Sequence, residues 1–130
     1  MSVARIDNQV HCFTAIEALV AHAGDLKADS GVSMICLFDH EEIGSNSTSG
    51  AGGPVMKDAL RRVTDCLGET DDSRMVSIQR SFQFSADTAH GLHPNYAMKH
   101  ELKHTPQLNK GTVIKTNDNQ RYGKFVMTSR

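Results

Sequence analysis

Two adjacent glutamates, Glu41 and Glu42, constrain this chain more than any other feature of its sequence. They follow an almost continuous apolar segment, residues 32–38, and lead into a Gly/Ser-rich loop, residues 44–53. An uninterrupted apolar run is typical of a central strand that is covered on both faces. Adjacent carboxylates repel each other and are costly to remove from water. A fold that places them at the end of a buried strand must expose them to water or neutralise them with a cationic partner or a metal ion.

The rest of the sequence alternates between helix and strand patterns. Apolar side chains recur at helical spacing over residues 8–23, and again after Pro54, which suits the first turn of a helix. Alternation of polar and apolar residues predicts a strand over 81–87, residues 112–115 are a shorter candidate, and the acidic segment 68–73 is expected to be an exposed connector. This order predicts an α/β fold, a partial layered sandwich with a mostly parallel central sheet flanked by helices.

Size and charge limit the classes of function. A chain of 130 residues with 38% hydrophobic residues and a formal net charge of −1 fits one soluble domain and gives no reason to expect nucleic-acid binding. No apolar stretch reaches the roughly 20 residues that span a bilayer, and no secretory signal is recognisable, so no membrane partner is expected. The three cysteines have no CxxC spacing, and Cys12 and Cys36 lie within apolar patterns that favour small core residues in a reducing compartment, which predicts a cytoplasmic protein.

Carboxylates follow three predicted extended segments, at Asp7, at Glu41 and Glu42, and at Asp87. In open α/β sheets, ligands bind beyond the carboxyl ends of the strands, so acids that are distant in sequence should meet there. Divalent cations would make such crowding tolerable, and a two-metal site would suit hydrolysis of an amide or ester. Helix capping or exposure to water is the simpler explanation for any single acid. The loop histidines, including His90, fit a ligand role and polar surface about equally.

In a chain without metal, the same crowding has a predictable electrostatic effect. Repulsion and desolvation should raise the pKa values of some carboxyl groups among Asp7, Glu41, Glu42 and Asp87. The folded state would then bind protons more readily than the unfolded state, so stability should increase on mild acidification.

Several separate motifs, in order between residues 4 and 122, resemble the aspartyl aminopeptidases. These motifs are Arg5-Ile6-Asp7-Asn8, Asp39-His40-Glu41-Glu42-Ile43-Gly44-Ser45, Ser85-Ala86-Asp87-Thr88-Ala89-His90, His93-Pro94-Asn95-Tyr96, Lys99-His100-Glu101, Val113-Ile114-Lys115 and Asn119-Gln120-Arg121-Tyr122. The resemblance implies a zinc exopeptidase with two Zn²⁺ ions per complete site that releases Asp or Glu from the N-terminus of peptides. Other divalent metals remain compatible with it.

The resemblance also implies roles for the strand-end acids. Asp7 would bridge the two metal ions, Glu42 would bind one of them, and Asp87 would bind the other. Glu41 would be the general base that takes a proton from the metal-bound water.

Substrate contacts are implied in the same way. His90, Lys115 and Tyr122 would contact the peptide, together with Glu41 and Asp87. Lys115 would pair with the acidic side chain of the first substrate residue, because a buried ammonium rejects neutral residues that leave it unpaired.

The chain also departs from the family's complete catalytic domain. That domain has two histidine metal ligands, one earlier and one later in the sequence, and an inserted β-rich domain that assembles homo-oligomers. None of the seven histidines here matches either ligand position. We therefore expect residues 1–130 to be a partial catalytic domain, without the assembly domain, that is inactive alone. The alternatives are a non-catalytic fragment or pseudo-enzyme that binds metal weakly or interacts with partners, and an anion-binding module built on the Gly/Ser loop.

Overall fold

The computed structural model describes residues 3–24, 27 and 29–115 of the chain. They contain three α-helices and two short 3-10 helices, in the order α1 (Ile6–Ala23), Glu41–Ile43, α2 (Val55–Cys66), α3 (Asp71–Gln79) and Pro94–Lys99. Among these described residues, no helix has the length and hydrophobicity needed to cross a membrane.

Helix α1 confirms the helix predicted over residues 8–23. Asp7 (φ −88°, ψ 109°) and Asn8 (φ −116°, ψ 25°) do not have helical backbone angles, so the regular helix begins at Gln9. Gly24 ends the helix as predicted, and its N–H donates to the carbonyl oxygen of Ala21. Asp7 therefore lies in an irregular lead-in to α1.

Helix α2 begins directly after Pro54, as its sequence predicted. Helix α3 corrects the prediction of a connector over residues 68–73, because it begins at Asp71. Thr70 is its N-cap, and the Thr70 hydroxyl accepts a hydrogen bond from the backbone N–H of Ser73 at 3.2 Å. An acidic side chain in the first turn interacts favourably with the helix dipole, so the charge pattern marked a helix start and not a connector.

Segments 32–38, 81–87 and 112–115 were predicted to be strands. The structure gives them no helix, and in the described part of the chain no strand pairing is formed. The parallel sheet and its strand order stay predictions.

Large apolar side chains are widely exposed. No hydrophobic residue is buried within the residues that the structure describes, and Phe84, Leu102 and Ile114 are 84%, 87% and 86% exposed. Each exposed apolar side chain forgoes about 25 cal/mol for every Å² it would otherwise bury. The described residues are therefore held by hydrogen bonds and local turns more than by an apolar core.

Candidate functional site

Residues 39–53, which we call the glutamate loop, are the most tightly packed part of the described chain. Ser45, at 1% exposure, and Gly50 are its buried residues, and no others are buried in the described ranges. The backbone N–H of Ser45 donates to the carbonyl oxygen of His40 at 2.9 Å, and that of Gly52 donates to the carbonyl oxygen of Ser45 at 3.0 Å. The His40 Nδ1 atom lies 2.7 Å from the Ser47 hydroxyl. All of these contacts close within a few residues.

Glycine is required at two positions of the glutamate loop by the close approach of the backbone. A Cβ atom at Gly50 would lie 2.3 Å from the carbonyl oxygen of Ser45, and one at Gly53 would lie 2.2 Å from that of Ser47. Neither space can hold a side chain unless the backbone moves, because these distances fall far below van der Waals contact. The Gly/Ser-rich sequence therefore encodes a specific compact turn.

Glu41 and Glu42 lie on the 3-10 helix at the start of this loop. Left-handed backbone at His40 (φ 64°) and Gly44 (φ 95°) flanks the helix on both sides. Both glutamate side chains are exposed. Exposure to water, one of the three ways of accommodating adjacent carboxylates, is therefore the one that the structure supplies.

Asp7 and Asp87, which we call the aspartate pair, are brought together from 80 positions apart in the sequence (87 − 7). The Asn8 side chain, next to Asp7, donates a hydrogen bond to the carbonyl oxygen of Ala86, next to Asp87, at 2.8 Å, and Asp7 is among the side chains that lower the pKa of Asp87. The Lys115 ammonium forms an ion pair with Asp87. The structure thus brings together two of the three predicted metal ligands and one predicted substrate contact.

The electrostatics of Asp87 correct the expectation that crowding raises its pKa. The hydrogen bond from Lys115 holds the pKa of the Asp87 carboxyl below its usual range, and partial burial opposes this shift. The charge of Lys115, the backbone N–H of Thr88 and the contact with Asp7 lower the pKa further. A cation next to an acid favours the charged form more than this modest burial disfavours it.

Further hydrogen bonds join the two chain segments beside the aspartate pair. The Asn8 side-chain nitrogen donates to the carbonyl oxygen of Ala86 at 2.8 Å, and the Asn8 side-chain oxygen lies 2.7 Å from His11 Nδ1. The Thr88 hydroxyl lies 3.3 Å from the same His11 nitrogen. Sequence reasoning assigned no role to these side chains. The one available signal was that Asn8 and Thr88 directly follow the two aspartates.

Within the described residues, the predicted site residues Glu42 and His90 form no metal-binding group with the aspartate pair. Within the described ranges, no three or more His, Cys, Asp or Glu side chains are grouped so that they could hold a metal ion, so Glu42 does not complete a set with the aspartate pair. His90 is exposed. Tyr122 lies outside the described residues. Two neighbouring carboxylates suit a divalent cation by their chemistry, and the three-ligand arrangement stays a prediction.

Comparison with known proteins gives consistent matches along the chain. The sequence profile of the family described as Aminopeptidase I zinc metalloprotease (M18) matches residues 1–129. A probable aspartyl aminopeptidase from Ricinus communis is 51% identical over 128 residues, which are 96% of this chain and 26% of that protein. A probable M18 family aminopeptidase 2 from Ectopseudomonas mendocina (strain ymp) is 50% identical over 119 residues, 92% of this chain and 26% of the relative.

A probable M18 family aminopeptidase 2 from Stutzerimonas stutzeri (strain A1501) is 48% identical over 126 residues, 97% of this chain and 27% of the relative. The chain thus spans about a quarter of the length of these curated relatives.

Proposed function

Because the chain belongs to the Aminopeptidase I zinc metalloprotease (M18) family, we propose that it contributes the carboxylate half of a metallo-aminopeptidase site that releases N-terminal Asp or Glu. The family match confirms the resemblance inferred from the motifs. The substrate preference is supported by the similarity to a relative named as a probable aspartyl aminopeptidase. The observation that carries the proposal is the hydrogen bond between Asn8 and Ala86, which joins the segments of Asp7 and Asp87 across 78 positions of the sequence.

Zinc is the metal that the family's description names. Asp7 and Asp87 would hold it, with Glu42 as a further ligand, and Asp7 would bridge two ions in a complete site. When bound, zinc supplies Lewis acidity and a nucleophilic water at neutral pH. Glu41 would accept the proton of the attacking water as general base, a role for which its carboxylate must be ionised and accessible.

Lys115 is the proposed determinant of acidic substrates. Its ammonium already pairs with one carboxylate, that of Asp87, so it reaches the aspartate pair and can exchange this partner for the side chain of a substrate Asp or Glu. A neutral side chain offers no such partner, and since Lys115 is 39% exposed, the preference would come from the ion pair with the substrate and not from a penalty on a buried ammonium. His90 and Tyr122 are proposed as additional contacts to the peptide.

A second candidate function is non-catalytic metal binding or interaction with partners. The extensive exposure of apolar side chains in the described part of the chain favours interaction with partners. The two candidates share the aspartate pair and differ in whether this polypeptide turns over substrate.

The proposal is tested by zinc binding to the purified chain, measured by competition with a chromophoric chelator. Asp7→Asn and Asp87→Asn should each lower the zinc affinity by on the order of 10-fold or more, because each removes a ligand. Asp58→Asn, in the first turn of α2, is the matched control and should bind zinc as the unmodified chain does. Equal zinc affinity in all four proteins would show that the aspartate pair is not a metal site.

Turnover separates the two candidate functions. The chain is incubated with zinc or cobalt and with aspartyl-, glutamyl- and alanyl-amide reporters. We expect very slow hydrolysis, confined to the acidic reporters and abolished by Glu41→Gln. Zinc binding with no hydrolysis that depends on Glu41 would favour the non-catalytic function, and hydrolysis of the alanyl reporter at an equal rate would contradict the proposed specificity.

A further inference from the structure

Two hydrogen bonds tie the beginning of α1 to residues 86–88, and a third, within α1, connects them. They join Asn8 to Ala86, Asn8 to His11, and His11 to Thr88, at 2.8, 2.7 and 3.3 Å. The first and the last join residues 78 and 77 positions apart. No other hydrogen bond of the described residues joins positions so distant in sequence.

These bonds bracket the aspartate pair. Asn8 directly follows Asp7, while Ala86 and Thr88 lie on either side of Asp87. Because consecutive Cα atoms are at most about 3.8 Å apart, fixing the neighbours of both aspartates restricts the distance between the two carboxylates.

The direction of the hydrogen bonds fixes the proton on His11. The Asn8 side-chain nitrogen donates to Ala86, which turns the Asn8 side-chain oxygen towards His11. A side-chain amide oxygen only accepts, so His11 Nδ1 carries the proton and donates. The Thr88 hydroxyl oxygen then shares this donor over the longer distance. The arrangement therefore needs a donor at the Nδ1 position of residue 11.

We infer that Asn8, His11 and Thr88 form a clamp of positioning residues that sets the separation of Asp7 and Asp87 for metal binding. This inference rests on the proposed function, in which the two aspartates are metal ligands. The clamp residues touch neither substrate nor metal. They act as the outer hydrogen-bonding groups that orient ligands in metal sites, whose loss typically lowers metal affinity about 10- to 100-fold.

The test is the zinc affinity of the full chain carrying Asn8→Ala, His11→Leu or His11→Asn, measured by chelator competition. Asn8→Ala and His11→Leu should each lose about 10- to 100-fold in affinity. His11→Asn should restore most of it, because its side-chain nitrogen occupies the position of Nδ1 and can donate to Asn8. Gln9→Ala, one residue beyond Asn8, is the matched control and should leave the affinity unchanged.

A second readout separates positioning from general stability. Thr70→Ala removes the cap of α3 far from the clamp in sequence and should leave zinc affinity unchanged while weakening that helix. The visible spectrum of bound Co²⁺ should change in Asn8→Ala and return in His11→Asn, because it reports ligand geometry. An equal loss of affinity in Thr70→Ala and Asn8→Ala would overturn the clamp.

The failures of the two proposals are distinguishable. If Asp7→Asn binds zinc as tightly as the unmodified chain, the proposed metal site is wrong. If Asp7→Asn loses affinity while Asn8→Ala and His11→Leu keep it, the metal site stands and the clamp is wrong.

Discussion

The glutamate loop and the aspartate pair are built in opposite ways. The contacts that shape the loop close over short distances in sequence, as in the Ser47–His40 pair seven residues apart. The aspartate pair is held by contacts over almost the whole described chain, as in the Asn8–Ala86 bond 78 residues apart. Loop-closure entropy grows as (3/2)RT ln n, so this bond costs about 2 kcal/mol more to close than the Ser47–His40 contact.

The difference indicates which kind of substitution should disrupt each of the two regions. A net contribution of about 1 kcal/mol per hydrogen bond means that the few bonds around the aspartate pair only modestly exceed its additional closure cost. The glutamate loop depends instead on the absence of side chains at two glycines. We therefore expect steric changes to damage the loop and lost hydrogen bonds to damage the aspartate pair.

The largest effect is expected from Gly50→Ala in the glutamate loop. The new Cβ would lie 2.3 Å from the carbonyl oxygen of Ser45 and 3.0 Å from its Cα, so the backbone must move. Overpacking of this kind costs about 1–3 kcal/mol, and the backbone contact places this variant at the upper end. Limited proteolysis within residues 39–53 and the free energy of unfolding in urea should both report the loss.

Gly24→Ala is the matched control for this substitution. Its Cβ would lie 3.5 Å from the carbonyl oxygen of Ala21, in ordinary van der Waals contact. Its backbone is right-handed, so the change should be neutral or stabilise by up to about 1 kcal/mol. Equal stability of the two variants would contradict the packing of the loop. A loss of zinc affinity in Gly50→Ala as large as in Asp87→Asn would show that the two regions are not independent.

A smaller effect is expected from Lys115→Met beside the aspartate pair. The ammonium and a divalent cation compete for the Asp87 carboxylate, so removing the ammonium should raise zinc affinity. Asp87 and Lys115 are 38% and 39% exposed, so the competing ion pair is well solvated and contributes at most about 1 kcal/mol, or about fivefold in affinity. Chelator competition measures this change.

Lys110→Met is the control, because Lys110 makes no ion pair within the described residues. The same Lys115→Met variant should lose the preference for the aspartyl over the alanyl reporter if residual turnover is present. A decrease in zinc affinity on removal of Lys115 would show that its ammonium does not compete with zinc for the Asp87 carboxylate.

The locally built features are those that the sequence predicts best. Apolar periodicity, Gly24 and Pro54 predict α1, its end and the start of α2, because helix signals act within a few residues. The predicted connector over residues 68–73 is wrong because acidic residues occur in the first turn of a helix as well as in exposed loops. The Thr70 side chain and its hydrogen bond with Ser73 explain that charge as the first turn of a helix.

For the contacts between distant segments, the sequence predicts that the acidic residues lie close together but does not identify the side chains that hold them there. The rule that ligands bind beyond the carboxyl ends of parallel strands predicts that Asp7 and Asp87 lie close together. It could not supply Lys115 as the neutralising cation or His11 as part of the clamp, because neither side chain has a sequence spacing that points to the aspartates. The expected rise in carboxylate pKa failed at Asp87 for the same reason. Glu42 lies on the 3-10 helix of the glutamate loop, and within the described residues it forms no metal-binding group with the aspartate pair.

The smallest expected effect is a change in the pKa of a carboxyl group, and it compares Asp29 with Asp87, whose pKa values are both lowered. The pKa of Asp29 is lowered first by the backbone N–H of Gly31, at 2.8 Å, and then by His22, whose Nε2 lies 2.9 Å away, both local contacts. The pKa of Asp87 is lowered mainly by Lys115, 28 residues away. A lowered folded-state pKa stabilises the fold above the unfolded value of about 3.9. That stability is lost as pH falls through the folded-state pKa, the reverse of a gain on acidification.

Carboxyl NMR titrations of the metal-free chain and of Asn8→Ala distinguish a pKa that is lowered by local contacts from one that is lowered by distant contacts. Breaking the Asn8–Ala86 bond should return the pKa of Asp87 towards its usual range, because the segment that carries Asp87 loses its anchor to α1. The pKa of Asp29 should stay low, since its partners lie two and seven residues away and do not depend on that anchor. If Asn8→Ala shifted both pKa values equally, the contrast between local and distant construction would not hold. If it shifted neither, Lys115 would reach Asp87 without help from α1, and the aspartate pair would be as locally determined as the glutamate loop.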